Sequence, residues 1–171
     1  MILLLAEASH TGKTLLAQRL LEQYHYPYLS IDHLKMGLIR SGQTTLTPQD
    51  DRQLTGYLWP IVREMVKTAI ENNQNLIVEG CYIPFDWQQD FAADYLEQIR
   101  FLCLVMSERY IRGHIAEILS HSSDIEKRME KEMEVEELVR ENAENLVQCR
   151  ARGLHYCLID LEYPKEIILN V

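Results

Sequence analysis

Apolar residues in this chain fall into two kinds of run. Short, nearly unalternated stretches at 2–6, 28–31, 76–79, 100–106 and 156–160 read as strands buried on both faces. Between them the apolar positions recur with helical period. A first helix is predicted over 14–23, with Leu15, Leu16, Leu20 and Leu21 on one side, and a second over 32–40, where Ser30 or Asp32 can cap it. A third opens with Thr47 as N-cap, Pro48 at the first helical position and Asp50 at capping-box distance. Leu54, Leu58, Ile61, Met65, Ala69 and Ile70 then form its inner face to about Asn72, and Pro60 is expected to kink or split it. From 107 to 151 the chain is helical again, divided by the turn Ser120-His121-Ser122-Ser123-Asp124. This alternation predicts an α/β protein: a parallel sheet covered on both faces, its strands joined by right-handed crossovers.

The first apolar run breaks directly into Ser9-His10-Thr11-Gly12-Lys13-Thr14 and a helix. Strand, tight loop and helix start are the context of a phosphate-binding loop, in which backbone N–H groups and a helix N-terminus converge on an anion. Lys13 is placed to reach the β- and γ-phosphates, and the Thr14 hydroxyl to sit on Mg²⁺. The pattern is broken at its first glycine, where this chain has Glu7. A working loop requires that carboxylate to turn away from the phosphates, because charge repulsion in a partly desolvated site is costly. This is the orientation expected here; the other is inward, onto Lys13. The bland alternative for Gly12-Lys13-Thr14 is an ordinary strand-to-helix turn.

A chain of 171 residues, 47% hydrophobic and 25% charged, forms one domain spanning 1–171 with a sizeable core. Its net charge of −9 argues against a general partner in nucleic acid or an anionic membrane, yet allows a locally positive pocket. Among the four cysteines (Cys81, Cys103, Cys149, Cys157) none forms a CxxC pair, and Cys103 and Cys157, in apolar runs, read as buried thiols. The histidines show no metal-ligand spacing. The first apolar run is too short for a membrane span and lacks signal-peptide flanks, so a cytoplasmic location is expected.

Taken in order, Ser-His-Thr-Gly-Lys-Thr, then Ser30-Ile31-Asp32-His33-Leu34 ending the second strand, Val78-Glu79-Gly80 ending the third, and a charged segment after the fourth resemble a P-loop kinase. The group is the nucleoside-monophosphate-kinase-like one, with shikimate-kinase-like and 2-phosphoglycerate-kinase-like proteins and antibiotic phosphotransferases. The resemblance implies a three-layer P-loop NTPase fold, a five-stranded parallel sheet of order 2-3-1-4-5. It also implies a helical acceptor arm over about 33–72 and a lid over about 121–131. The implied activity is ATP- and Mg²⁺-dependent transfer of a phosphoryl group to a small-molecule acceptor.

Ser9, His10, Thr11, Gly12, Lys13 and Thr14 are then the nucleotide-binding candidates. Asp32 matches a position that faces the acceptor hydroxyl and can accept its proton; the plainer reading is a helix cap. Glu79, with Thr14, is the metal candidate and a substrate candidate, or simply the charged end of a buried strand. Arg40 on the arm could clamp an anionic acceptor. Arg128 is the leading lid cation for catalysis, ahead of Arg109 and Arg112, against a reading of all three as solvent-facing. Tyr163 could meet an adenine base, though ordinary packing is preferred. Two rivals stand beside the kinase reading: a degenerate P-loop that binds nucleotide without efficient transfer, motivated by Glu7, and a protein-interaction module that has lost nucleotide.

Overall fold

The computed structural model describes residues 1–8, 11–121 and 135–164, with the backbone alone for 119–121. Strand β1 (Ile2–Glu7) lies at the centre of a five-stranded, wholly parallel sheet of order β2-β3-β1-β4-β5, as expected. Its partners are β3 (Leu76–Glu79) on one side and β4 (Ile99–Met106) on the other, with Ile2 opposite both Leu76 and Ile99. Strands β2 (Tyr28–Ser30) and β5 (Tyr156–Ile159) form the edges.

Every residue of β1 is buried because both faces are covered. Leu3 and Leu5 pack with Leu16, Ala17 and Leu20 of helix α1 (Lys13–Tyr24). Ile2, Leu4 and Ala6 pack with Leu54, Leu58, Val62 and Val66 of α3 (Asp51–Glu71). The expected face of α1 is partly wrong: Leu15 is exposed, and Ala17 takes the inward position beside Leu16. Strand β5 departs from the doubly buried pattern as well, since an edge strand has one neighbour and here leaves Tyr156 and Leu158 exposed.

Helix α3 holds three corrections. Thr47 does not cap it. Its N–H and hydroxyl both donate to the Asp50 carboxylate, each at 2.7 Å, and Asp50 N–H donates to the Thr47 carbonyl at 3.0 Å. A closed turn therefore precedes the helix, with Asp50 as the flanking residue. The buried stripe steps by fours through Leu54, Leu58, Val62, Val66 and Ile70, leaving Ile61 and Met65 exposed. Pro60 does not split the helix: it lies on the exposed side, and the carbonyl it leaves without an N–H partner belongs to exposed Gly56, within reach of water.

Helix α2 (Ile31–Arg40) begins where β2 stops, a residue sooner than the sequence suggests. Ile31, fully buried, leans on Gly80: a Cβ on Gly80 would stand 2.9 Å from Ile31 Cβ, a stiff branched atom close to the backbone. Gly80→Ala should accordingly destabilise the protein by about 1–3 kcal/mol through overpacking, read as a lower denaturation midpoint with unchanged slope; an unaltered midpoint would show that α2 can shift freely.

After β3 come a 3₁₀ turn (Trp87–Asp90) and the short helix α4 (Ala93–Leu96). Trp59 Nε1 donates to the Asp90 carboxylate at 2.7 Å, tying α3 to that turn. Helices α5 (Glu108–His121) and α6 (Val135–Arg152) flank the segment outside the described residues. Arg112 joins them, meeting Glu108 of α5 and, through two nitrogens at 2.8 and 2.9 Å, Glu136 of α6. Cys103 and Cys149 are buried, Cys157 is half-buried and Cys81 is exposed. No described helix is long and apolar enough to cross a membrane.

Candidate active site

Parallel strands end together, so the residues just beyond β1, β2 and β3 gather at one edge of the sheet. The loop after β1 turns into α1 through Gly12, whose backbone is left-handed at φ 85°. Its carbonyl accepts both Leu16 N–H at 3.0 Å and the Tyr163 hydroxyl at 3.3 Å. Thr11 is buried, and its hydroxyl faces the Ala8 carbonyl at 3.5 Å, a contact internal to the loop. Ser9 and His10 lie outside the described residues.

Lys13, the first residue of α1, points into a cage of carboxylates. Its Nζ is 2.7 Å from Glu7 Oε1, 3.7 Å from Asp32 Oδ2 and 3.7 Å from Glu79 Oε2. Lys13 N–H also donates to Glu7 Oε2 at 3.2 Å. Glu7 thus faces inward, against the expected orientation. The local reason is that β1 is buried to its last residue, so a carboxylate there has no route to water and the ammonium next along the loop is its partner. Burial by itself would lower the Lys13 pKa; Glu7, Glu79 and Asp32 outweigh it and hold the ammonium charged well above its ordinary range.

Thr14 Oγ1 lies 3.4 Å from Glu79 Oε1. Glu79 is fully buried, and its Oε2 has no hydrogen-bond partner, although Lys13 Nζ stands 3.7 Å from it. Burial pushes its carboxyl up to about 7; Lys13 and a hydrogen bond from the Ser30 side chain oppose the rise, and the Glu7 and Asp32 charges add to it. A carboxyl at about 7 in the fold and near 4.5 when unfolded keeps its proton longer in the folded chain. Its contribution to stability is complete below 4.5 and is lost as pH rises through about 7. The melting temperature of the wild type should fall relative to that of Glu79→Gln across this window; parallel profiles would show that Glu79 ionises normally.

Asp32 is not the cap of α2: Ser30 holds that position, and Asp32 lies inside the first turn. Its two oxygens reach two lysines, Oδ2 toward Lys13 and Oδ1 2.5 Å from Lys35 Nζ. Lys35 also donates to the Tyr82 hydroxyl at 3.0 Å, and Tyr82 donates to Asp51 Oδ1 at 2.9 Å. A polar chain therefore runs from Asp32 to the start of α3. Tyr82 and Asp51 carry no motif that marks them in the sequence, and they join Lys35, a fixed charge of the arm, only through tertiary contact.

Other candidates are not brought to this cluster. Arg40 is exposed at the far end of α2, two turns from Asp32. Arg112 is engaged between α5 and α6, and Arg109 is exposed. Arg128 and nearly all of the expected lid lie outside the described residues. Tyr163 packs on the loop itself, so close that a Cβ on Gly12 would stand 2.7 Å from its hydroxyl.

No family model and no curated protein matches the sequence. Solved structures do match over nearly the whole chain. A protein from Chloroflexus aurantiacus assigned provisionally as a kinase shares 18% identity at TM-score 0.56, over 98% of this chain and 91% of its own. A gluconokinase from Sinorhizobium meliloti shares 16% at TM-score 0.51, over 95% and 83%. A shikimate kinase from Bacteroides thetaiotaomicron shares 14% at TM-score 0.51, over 94% and 86%. What the chain shares with these kinase structures is the fold, a three-layer α/β arrangement, here with a parallel sheet of order β2-β3-β1-β4-β5.

Proposed function

We propose that this protein is a kinase that transfers a phosphoryl group from ATP, with Mg²⁺, to a hydroxyl of a small-molecule acceptor. One observation carries the reading: Lys13, Thr14, Asp32 and Glu79 meet at the carboxyl ends of β1, β2 and β3, on the fold of known small-molecule kinases.

Lys13 would hold the phosphates by its ammonium and its N–H. The Thr14 hydroxyl and the Glu79 carboxylate are hard oxygen donors that suit Mg²⁺, and the unpartnered Glu79 Oε2 is an acceptor without a donor. Among the described residues no three acidic, histidine or cysteine side chains form a metal cage, so phosphate and water would complete the shell. ATP supplies the transferable group, and Mg²⁺ offsets its charge. Asp32 is placed to orient the acceptor hydroxyl and take its proton, while Lys35 holds the carboxylate in position. Arg128 would act from the lid, and Arg40 at the outer end of the acceptor arm. The net charge of −9 favours a small molecule over nucleic acid or an anionic membrane as partner, and the location proposed with it is the cytoplasm.

The Glu7–Lys13 pair favours a second reading, a P-loop that binds nucleotide weakly and transfers poorly. ADP release measured across a panel of hydroxyl compounds separates the two. Release that needs both Mg²⁺ and one acceptor supports the kinase; nucleotide binding with no acceptor stimulation supports the second reading.

A further inference from the structure

Glu7 takes both of the groups that Lys13 offers an anion. Oε1 holds the ammonium at 2.7 Å, Oε2 accepts the backbone N–H at 3.2 Å, and the two side chains are 1% and 3% exposed. Asp32 and Glu79 stand a full ångström farther from the same ammonium. A carboxylate with two oxygens bridging a lysine side chain and its own N–H makes the contacts that a phosphate makes in such a loop. It does so from the position where the loop pattern has glycine, a residue with no side chain to offer.

We propose that Glu7 is an internal anion seated in the phosphate position of the loop, and that it sets which ligands the loop admits. This rests on the nucleotide reading of the site. A ligand must displace a buried, charge-assisted contact, and the displaced carboxylate must then share the neighbourhood of Asp32 and Glu79 with less positive charge to go round. A singly charged anion offers Lys13 no more than Glu7 already gives. A polyphosphate carrying a divalent cation offers more on both counts: several negative oxygens for Lys13, and a cation for the three carboxylates. The seat is thus selective for the cation-bound polyphosphate over free nucleotide and simple anions.

Calorimetric titration of ATP, with Mg²⁺ and with EDTA, into the full chain and its Glu7→Gly and Glu7→Gln variants tests this, with circular dichroism confirming the fold. Glutamine keeps the volume of the side chain should glycine loosen β1. Both variants should bind Mg-ATP about ten- to a hundredfold more tightly than the wild type, the range of one charge-assisted hydrogen bond, and should lose part of the Mg²⁺ requirement. Equal affinity in all three proteins, or tighter binding by the wild type, would overturn the role of Glu7 and leave the nucleotide reading standing. Folded proteins none of which binds ATP would overturn both.

Discussion

Replacing Lys13 with alanine is expected to abolish nucleotide-dependent turnover and also to destabilise the protein by about 3–5 kcal/mol, the cost of breaking a buried ion pair from one side. The second effect does not depend on the role proposed for Lys13 and arises from its surroundings. Without the ammonium, Glu7 and Glu79 are left facing each other with almost no access to water. Urea denaturation should show the loss, and the double variant Glu7→Gln/Lys13→Met should recover much of it, since the Glu7–Lys13 pair is then removed from both sides and the remaining buried carboxyl, Glu79, is one that burial already favours in its neutral form. Activity should not return. If Lys13→Ala unfolds at the wild-type midpoint, the ion pair contributes little and the carboxylates reach water by another path.

Asp32→Asn should leave the fold nearly intact and reduce kcat by about 10²–10⁴-fold, the range for losing a positioned general base. Asparagine keeps the size of the side chain and one oxygen, enough for Lys35 at the shorter contact but not for Lys13 as well, and it cannot take a proton from an acceptor hydroxyl. The expected signature is a fall in kcat with little change in the KM for ATP. An equal loss in ATP affinity would instead place Asp32 in nucleotide binding, through its contact with Lys13.

The sheet was legible because its information is local. Runs such as Ile2–Glu7 have apolar residues at nearly every position, so both faces had to be covered, and the order of motifs then matched one sheet order. Gly12, Lys13, Thr14, Asp32 and Glu79 were legible for the same reason: each sits at a strand end or helix start that the pattern marks. Helix faces were less so. Ile61 and Val62 are both apolar neighbours on α3, and only packing against β1 selects the latter. The orientation of Glu7 depends on how deep β1 is buried at its last residue, and Tyr163 reaches Gly12 from the far end of the chain. No spacing rule encodes either contact. The chain from Lys35 through Tyr82 to Asp51 is hidden likewise, being three residues on three separate segments.

The central place of β1 also has a consequence for synthesis. It leaves the ribosome before both of its neighbours, and Leu76, which pairs with Ile2, emerges roughly 4–15 s later at translation rates of about 5–20 residues per second. Its other partner, Ile99, comes later still. During that interval a strand apolar on both faces has no sheet to join, and α1 can shield only the side that carries Leu3 and Leu5. The nascent chain therefore passes through a stage in which Ile2, Leu4 and Ala6 are open to chaperones or to neighbouring chains, and slower delivery of the middle third should raise aggregation without altering the finished protein.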